Sequence, residues 1–331
     1  MTEIFRSTIP PPAAWTSAEL AGKATFVREP SPEALHGLDA LAARLRGREL
    51  ASIRRTDADD PAVNALMREV RAEVMDGRGL VVVRGPDPGR YDPGDYERLY
   101  WALGTHLGRG AVQSFMADYV ARVERNPDLP QRGTTTDTEL RPHTDFHELM
   151  SLASISLSPA GGVSRFVSSL ALHNEIVRLQ PDLLPPLYAG WYNVSGLDRE
   201  APPIKTPIFC CVDGRVSCFR NQAFFVDPER APEPFPPVLA EAMALMDQIA
   251  ARPDIRADFV LEPGEIAFWH NFTIMHARTA FQDSETRRRL LLRLWLHVDE
   301  GGRPMAEAFG SRGRMIDCHH LMGRAPASVP A

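Results

Sequence analysis

Past residue 110 the chain becomes a succession of short apolar, β-branched runs: Leu149 to Leu157, Ile208 to Val212, Val216 to Phe219, Phe259 to Leu261, Ile266 to Trp269 and Leu290 to Val298. They are strand-length and are bounded by turn formers, which restricts this part of the chain to a β-core rather than a helical bundle. Asp213-Gly214 stands between two of them, in Val212-Asp213-Gly214-Arg215-Val216, and predicts a tight hairpin. Glu262-Pro263-Gly264-Glu265 has Pro and Gly in the order of a type II turn.

Helical periodicity lies mainly elsewhere. Ser31 to Leu45 and Pro61 to Met75 read as helices, the second with Asp60 as its cap and Pro61 in its first turn, and Pro93 to Leu107 reads as a third. Gly79 to Gly85 encloses a buried strand. Two further helices, around Leu170 to Leu179 and Pro237 to Ala251, interrupt the strand series. The expected class is α+β with a mainly β core. With no internal repeat, the 331 residues are expected to form one domain rather than two. Within it, residues 1–110 are a helical and mixed part, 111–300 the β-core with helical insertions, and 301–331 a tail. The 29 prolines fit a chain rich in turns and insertions.

A net charge of −6 without a long Lys/Arg cluster gives no footprint for nucleic acid or an anionic membrane. The expected partner is a small molecule, with self-association left open. The first residues, MTEIFRSTIPPPAAW, lack the basic and apolar regions of a secretory leader, and no apolar stretch reaches membrane-spanning length, so a cytoplasmic location is expected. Cys210, Cys211, Cys218 and Cys318 have no paired CxxC spacing and read as reduced and structural.

The chemistry gathers in His143-Thr144-Asp145 and His276. In extended backbone, residues two apart share a face, so His143 and Asp145 can reach one metal with Thr144 as a spacer. Pro142 favours extended backbone just before the pair. His276, in the loop expected after Ile266 to Trp269, would complete a two-histidine, one-carboxylate facial set with three open positions. HxD alone is a common pattern, and an isolated histidine is ordinarily just hydrogen-bonded. The ordered combination with arginines on a following apolar strand is what gives it weight. Arg289 and Arg293, four apart, would face the same way, and an inward arginine needs an anion, either a protein carboxylate or a bound one.

From about Gly77 to Leu296 these residues resemble the taurine dioxygenase and clavaminate synthase-like Fe(II)/2-oxoglutarate-dependent dioxygenases. Pro263-Gly264-Glu265-Ile266-Ala267-Phe268-Trp269-His270-Asn271 with Met275-His276 is similar to the family's PGD…WDN…H segment, with Glu265 and His270 replacing its two aspartates. His276-Ala277-Arg278-Thr279-Ala280-Phe281 and Arg288-Arg289-Leu290-Leu291-Leu292-Arg293-Leu294-Trp295 are also close to family patterns, and Gly161-Gly162-Val163-Ser164 resembles its GGDT element.

The resemblance implies a double-stranded β-helix, a cupin-like jelly roll flanked by helices. It also implies iron held by His143, Asp145 and His276. Arg293 and Ser164 would hold the distal carboxylate of 2-oxoglutarate and Arg289 would assist at its other end, while His270 reads as a residue behind the ligands or at the surface and not as a ligand. The implied reaction consumes 2-oxoglutarate and O2, releases succinate and CO2, and hydroxylates an unactivated C–H bond of a small amino acid, amine or carboxylate. Desaturation, cyclisation or oxidative cleavage would start from the same hydrogen abstraction, and an intact Asp145 argues against halogenation. A zinc hydrolase or a cupin-like binding protein would use the same triad but would leave Arg293 and Ser164 without a role. Gln113, Phe146, His147, Trp191, Tyr192, Arg220 and Asn221 are candidates for the substrate pocket, with ordinary packing as the alternative for each. His147 shares Asp145's face if the strand continues.

Overall fold

The computed structural model describes residues 3–113, 118–130, 133–194 and 202–309. Cys318 and most of the expected tail lie outside the described residues. The helices are α1 Pro32–Leu45, α2 Pro61–Asp76, α3 Pro93–Gly104, α4 Ser169–Leu179, α5 Leu184–Ala189 and α6 Pro237–Ala251. The strands are β1 Val27–Arg28, β2 Leu80–Arg84, β3 Arg109–Gly110, β4 Ala121–Val123, β5 Leu140–His143, β6 Leu149–Ser156, β7 Ala160–Gly161, β8 Ser164–Ser168, β9 Trp191–Asn193, β10 Ile204–Thr206, β11 Phe209–Val212, β12 Arg215–Cys218, β13 Ala257–Phe259, β14 Glu265–His270, β15 Ile274–Arg278, β16 Phe281–Gln282 and β17 Leu290–His297.

The helices begin where their caps dictate. The Ser31 hydroxyl accepts from Ala34 N, and the Asp60 carboxylate accepts from Ala62 N and Val63 N, in each case ahead of a proline in the first turn. The Asp213-Gly214 hairpin forms between β11 and β12 with φ of 51° and 71°, the double positive φ of a type I′ turn. Gly264 takes φ 88° in the turn before β14, where Glu265 N donates to Glu262 O.

Two sheets face each other. The larger has the order β1-β2-β14-β6-β17-β3, with β4 also on β17, and the smaller has the order β13-β8-β15-β5. Period-two alternation gives β2, β14 and β17 of the larger sheet two apolar faces. Val81, Val83, Ile266, Phe268, Leu292, Leu294 and Leu296 pack outward with α1, α2 and α3. Leu80, Val82, Ala267, Trp269, Leu291 and Trp295 turn inward and meet Phe166, Phe259 and Ile274 from the smaller sheet. That sheet's outward residues, Val167 and Met275, join a third cluster with residues of α4, α5 and α6. The result is a jelly roll with helices on both outer faces, as the resemblance implied.

Several strands were not expected from the sequence, among them β5, β8 and β15 of the smaller sheet. β5 contains Pro142 and is legible as a strand only once it is known to be an edge, where a missing N–H costs no ladder bond. β8 is five residues long with serines at both ends. β15 follows β14 after only three turn residues, so His276 lies within a strand and not in a loop.

Leu294 is fully buried, and its δ-carbon lies where a Cβ on Gly104 of α3 would intrude. Leu294→Ala is therefore expected to cost about 2–5 kcal/mol in urea unfolding through the cavity left between sheet and helix.

Candidate metal centre

β5 and β15 run antiparallel with His143 and His276 as direct register partners, which brings their ring centroids to 4.3 Å. Asp145 joins them from just beyond β5, and the three ligand atoms lie within 4.8 Å of one another. His143 Nδ1 donates to the carbonyl of Arg141 at 2.8 Å, leaving the Nε2 lone pair for a metal, 3.8 Å from Asp145 Oδ1. Burial, reinforced by the neighbouring His143, pushes His276 down to about 3, so it is a neutral imidazole. Burial alone would raise Asp145, but Arg293, the two histidines and the Trp295 N–H together hold it below the usual carboxylate range. Two imidazoles and an ionised carboxylate gathered in one place are a donor set suited to a divalent iron with exchangeable positions.

His143 and Asp145 are not two positions on one continuous strand, because β5 ends at His143. The geometry comes instead from Thr144, which is fully buried and is more than a spacer. Thr144 N donates to Arg220 O at 2.8 Å, and its hydroxyl oxygen accepts from Arg220 N at 2.9 Å. Asn221 Nδ2 donates to Thr144 O at 3.0 Å. The Asn271 carboxamide accepts from Asp145 N at 3.0 Å and donates to the carbonyls of Asp145 at 2.7 Å and His147 at 2.8 Å. Every backbone polar group of Thr144 and Asp145 is thus engaged.

The same contacts account for several candidate pocket residues. Arg220 is buried, donates to Pro142 O and pairs with Asp247 of α6 at 2.8 Å. Together with Asn221 it secures the ligand loop. Gln113 donates to the carbonyls of Arg293 and Tyr119, and its Oε1 accepts from Arg293 Nε at 2.8 Å. Phe146 packs inside against Phe224 and Phe219. His147 is buried beside Trp295, but residues 146–148 bend, so the extended alternation from Asp145 does not continue. Trp191 and Tyr192 lie in the outer cluster with α4, α5 and α6, where the Trp191 N–H donates to Val226 O, and not in the interior that holds the triad. His270 bonds buried Glu148 at 3.2 Å and stays apart from the triad's donor set.

Arg289 and Arg293 part company. Arg289 precedes β17, next to a register shift in which Leu290 and Leu291 pair with Ser156 and Ser154, so that the extra residue, Ile155, lies in β6. Arg293 Nη1 reaches Asp145 Oδ2 at 3.5 Å. Arg289 is buried against Phe281 and the Gly161-Gly162 turn, where a Cβ on Gly162 would come within 3.1 Å of its side chain. Its Nη1 has no partner among the described residues. Burial, and then the nearby charge of Arg278, lower it to about 9, so it remains a cation at neutral pH.

Thr144→Val keeps the shape but leaves Arg220 N without its acceptor, so a loss of about 1–3 kcal/mol in urea unfolding is expected. Its Co(II) affinity should fall roughly 10- to 100-fold, as for other residues that orient ligands, while Thr144→Ser stays near wild type in calorimetric titration.

The profile described as "Taurine catabolism dioxygenase TauD, TfdA family" matches residues 44–295. The chain is 26% identical over 322 residues to FR-33289 synthase of Streptomyces rubellomurinus, covering 91% of this chain and 94% of that protein. It is 28% identical over 258 residues to the taurine hydroxylase-like protein SAT17 of Stachybotrys chartarum, covering 72% and 66%. Among solved structures, asparagine oxygenase in complex with Fe(II), 2S,3S-3-hydroxyasparagine and succinate superposes with a TM-score of 0.62 at 18% identity, over 82% of this chain and 93% of that one. The non-heme iron oxygenase OrfP in complex with Fe and alpha-ketoglutaric acid gives 0.62 at 16% identity, over 82% and 94%. The profile spans the β-core and all three ligands, and the chain belongs to the TauD/TfdA dioxygenase family.

Proposed function

We propose that the protein is an Fe(II)- and 2-oxoglutarate-dependent hydroxylase of a small amino acid or a related amine or carboxylate, working as a single oxygenase unit. The observation that carries this reading is Arg289, a buried cation with an unpartnered nitrogen in the same jelly roll as a His-Asp-His cluster. A zinc hydrolase has no use for such a group, whereas a co-substrate with a distal carboxylate does. The substrate class follows from relatives of the same fold, one bound to hydroxyasparagine and another to (3S)-hydroxy-L-Arg.

The geometry supports an exchange of the roles expected for the two arginines. Arg293 is already committed to Asp145 and Gln113, so Arg289 is assigned the distal carboxylate, with Ser164 nearby in sequence to the Gly161-Gly162 turn that Arg289 packs on. Gly162, at φ 72°, leaves room for that approach because it carries no Cβ, while Gly161, at φ 75°, packs on the backbone of Ala280 and Phe281. When bound, iron would activate O2 with 2-oxoglutarate as the electron donor, and O2 would supply the oxidising power for attack on a C–H bond. The chain's own residues hold the ligands in the right protonation state, anchor the co-substrate and line the site with buried aromatic and aliphatic side chains that exclude water.

Adding Fe(II) and 2-oxoglutarate without oxygen is expected to produce a visible charge-transfer band, and admitting oxygen should release succinate. Absence of the band, with tight zinc binding instead, would sink this reading. Arg289→Leu should weaken 2-oxoglutarate binding roughly 10- to 100-fold, the scale of a lost hydrogen-bonded ion pair, with Fe(II) affinity held. Arg293→Leu should instead weaken Fe(II) binding, and the reverse pattern would restore the roles first expected for the two residues.

A further inference from the structure

We propose that Trp295 is a positioning residue that keeps Asp145 a one-oxygen ligand, so that the metal retains the positions the co-substrate needs. The inference rests on the iron and 2-oxoglutarate reading and goes beyond it to the denticity of one ligand.

Asp145 offers two oxygens, and the surroundings treat them differently. Oδ1 is the oxygen 3.8 Å from His143 Nε2, on the side where the ligand atoms converge. Oδ2 accepts the indole N–H of Trp295 at 2.9 Å and lies 3.5 Å from Arg293 Nη1. Trp295 and Arg293 are two apart in β17, a strand held between β6 and β4, so they present their side chains on one face. The Arg293 guanidinium lies over the indole ring, 4.1 Å from its centroid, and Gln113 holds Arg293 from the other end. The indole cannot rotate away from Oδ2 without disturbing this stack.

The indole N–H is a donor only and carries its proton at every accessible pH, so it marks Oδ2 permanently as a hydrogen-bond acceptor. A six-coordinate centre with three protein donors keeps three positions free. Were Asp145 to bind through both oxygens, one of those would be lost, and a co-substrate with two donor atoms would have to displace carboxylate oxygen to enter. The Trp295 hydrogen bond opposes that by occupying the second oxygen.

The test uses the Co(II)-loaded protein, whose visible bands report coordination, with 2-oxoglutarate as titrant. In Trp295→Phe, Co(II) affinity should stay near wild type and the Co(II) spectrum without 2-oxoglutarate should change. The 2-oxoglutarate dissociation constant should rise roughly 10-fold or more, within the range seen when groups orienting a ligand are removed. Trp295→His, which restores a ring N–H, should recover part of that loss. A folded Trp295→Phe protein with unchanged spectrum and unchanged 2-oxoglutarate affinity overturns the proposal. So does a parallel loss of Co(II) affinity, which would make Trp295 a support of the whole ligand loop. Failure of the wild-type Co(II) protein to bind 2-oxoglutarate would count against the functional reading instead. Should Trp295→Phe not fold, wild-type protein labelled with 15N-tryptophan carries the test. Its Trp295 indole N–H, told from the other four indoles by through-space contacts with the Arg293 side chain, should stay slowly exchanging when Zn(II) is bound, and loss of that protection on metal loading overturns the proposal.

Discussion

An ionised carboxylate buried inside a β-barrel is the constraint around which this molecule is arranged. Taking a carboxylate out of water costs several kcal/mol unless its charge and lone pairs are met. Asp145 is met by Arg293 and Trp295 at its side chain and by Asn271 at both backbone groups. Each of these partners sits on or beside a central strand. Arg293 and Trp295 belong to β17, and Asn271 occupies the turn that joins β14 to β15. The apolar clusters on both sides of those strands therefore fix the positions of the groups that make the charge tolerable. Sheet packing and metal-site geometry are in this sense one problem.

The arrangement also ties the ligand loop to distant layers. Arg220 holds Thr144 through its backbone and Pro142 through its guanidinium, while its other end pairs with Asp247 on α6. Helix α6 belongs to the cluster covering the smaller sheet, so the outer helical layer has a direct mechanical link to the segment carrying two of the three ligands. A buried arginine that donates to one main-chain carbonyl and pairs with one carboxylate on a distant helix acts as a brace.

Much of this was legible in the sequence where local physics and tertiary context agree. The capped helices α1 and α2, the Asp213-Gly214 hairpin, the Pro263-Gly264 turn and the long strands β6 and β17 follow from propensity and periodicity. The triad was legible as an ordered combination of residue types. Strand β5 was not, since proline masks an edge strand, and neither was β15, since three turn residues are too few to signal a break between strands. The anchoring role of Thr144 had no local signal, because it depends on Arg220, which comes 76 residues later in the chain. The pairing of Asn271 with Asp145 spans 126 residues and was equally out of reach.

The two arginines show how position along one strand divides chemistry. Their spacing of four places them in one row, and nothing in it says which meets which partner. Arg293, inside β17, reaches Asp145, while Arg289, just before the strand, lies beside Phe281 and the glycine turn. One guanidinium is then neutralised by a protein carboxylate, and the other is not. Arg289 keeps its charge beside Arg278 and has a nitrogen that no described residue accepts, and a buried cation of this kind is least costly when an anion meets it. On the proposed reading that anion is the distal carboxylate of a dianion whose other carboxylate goes to the metal.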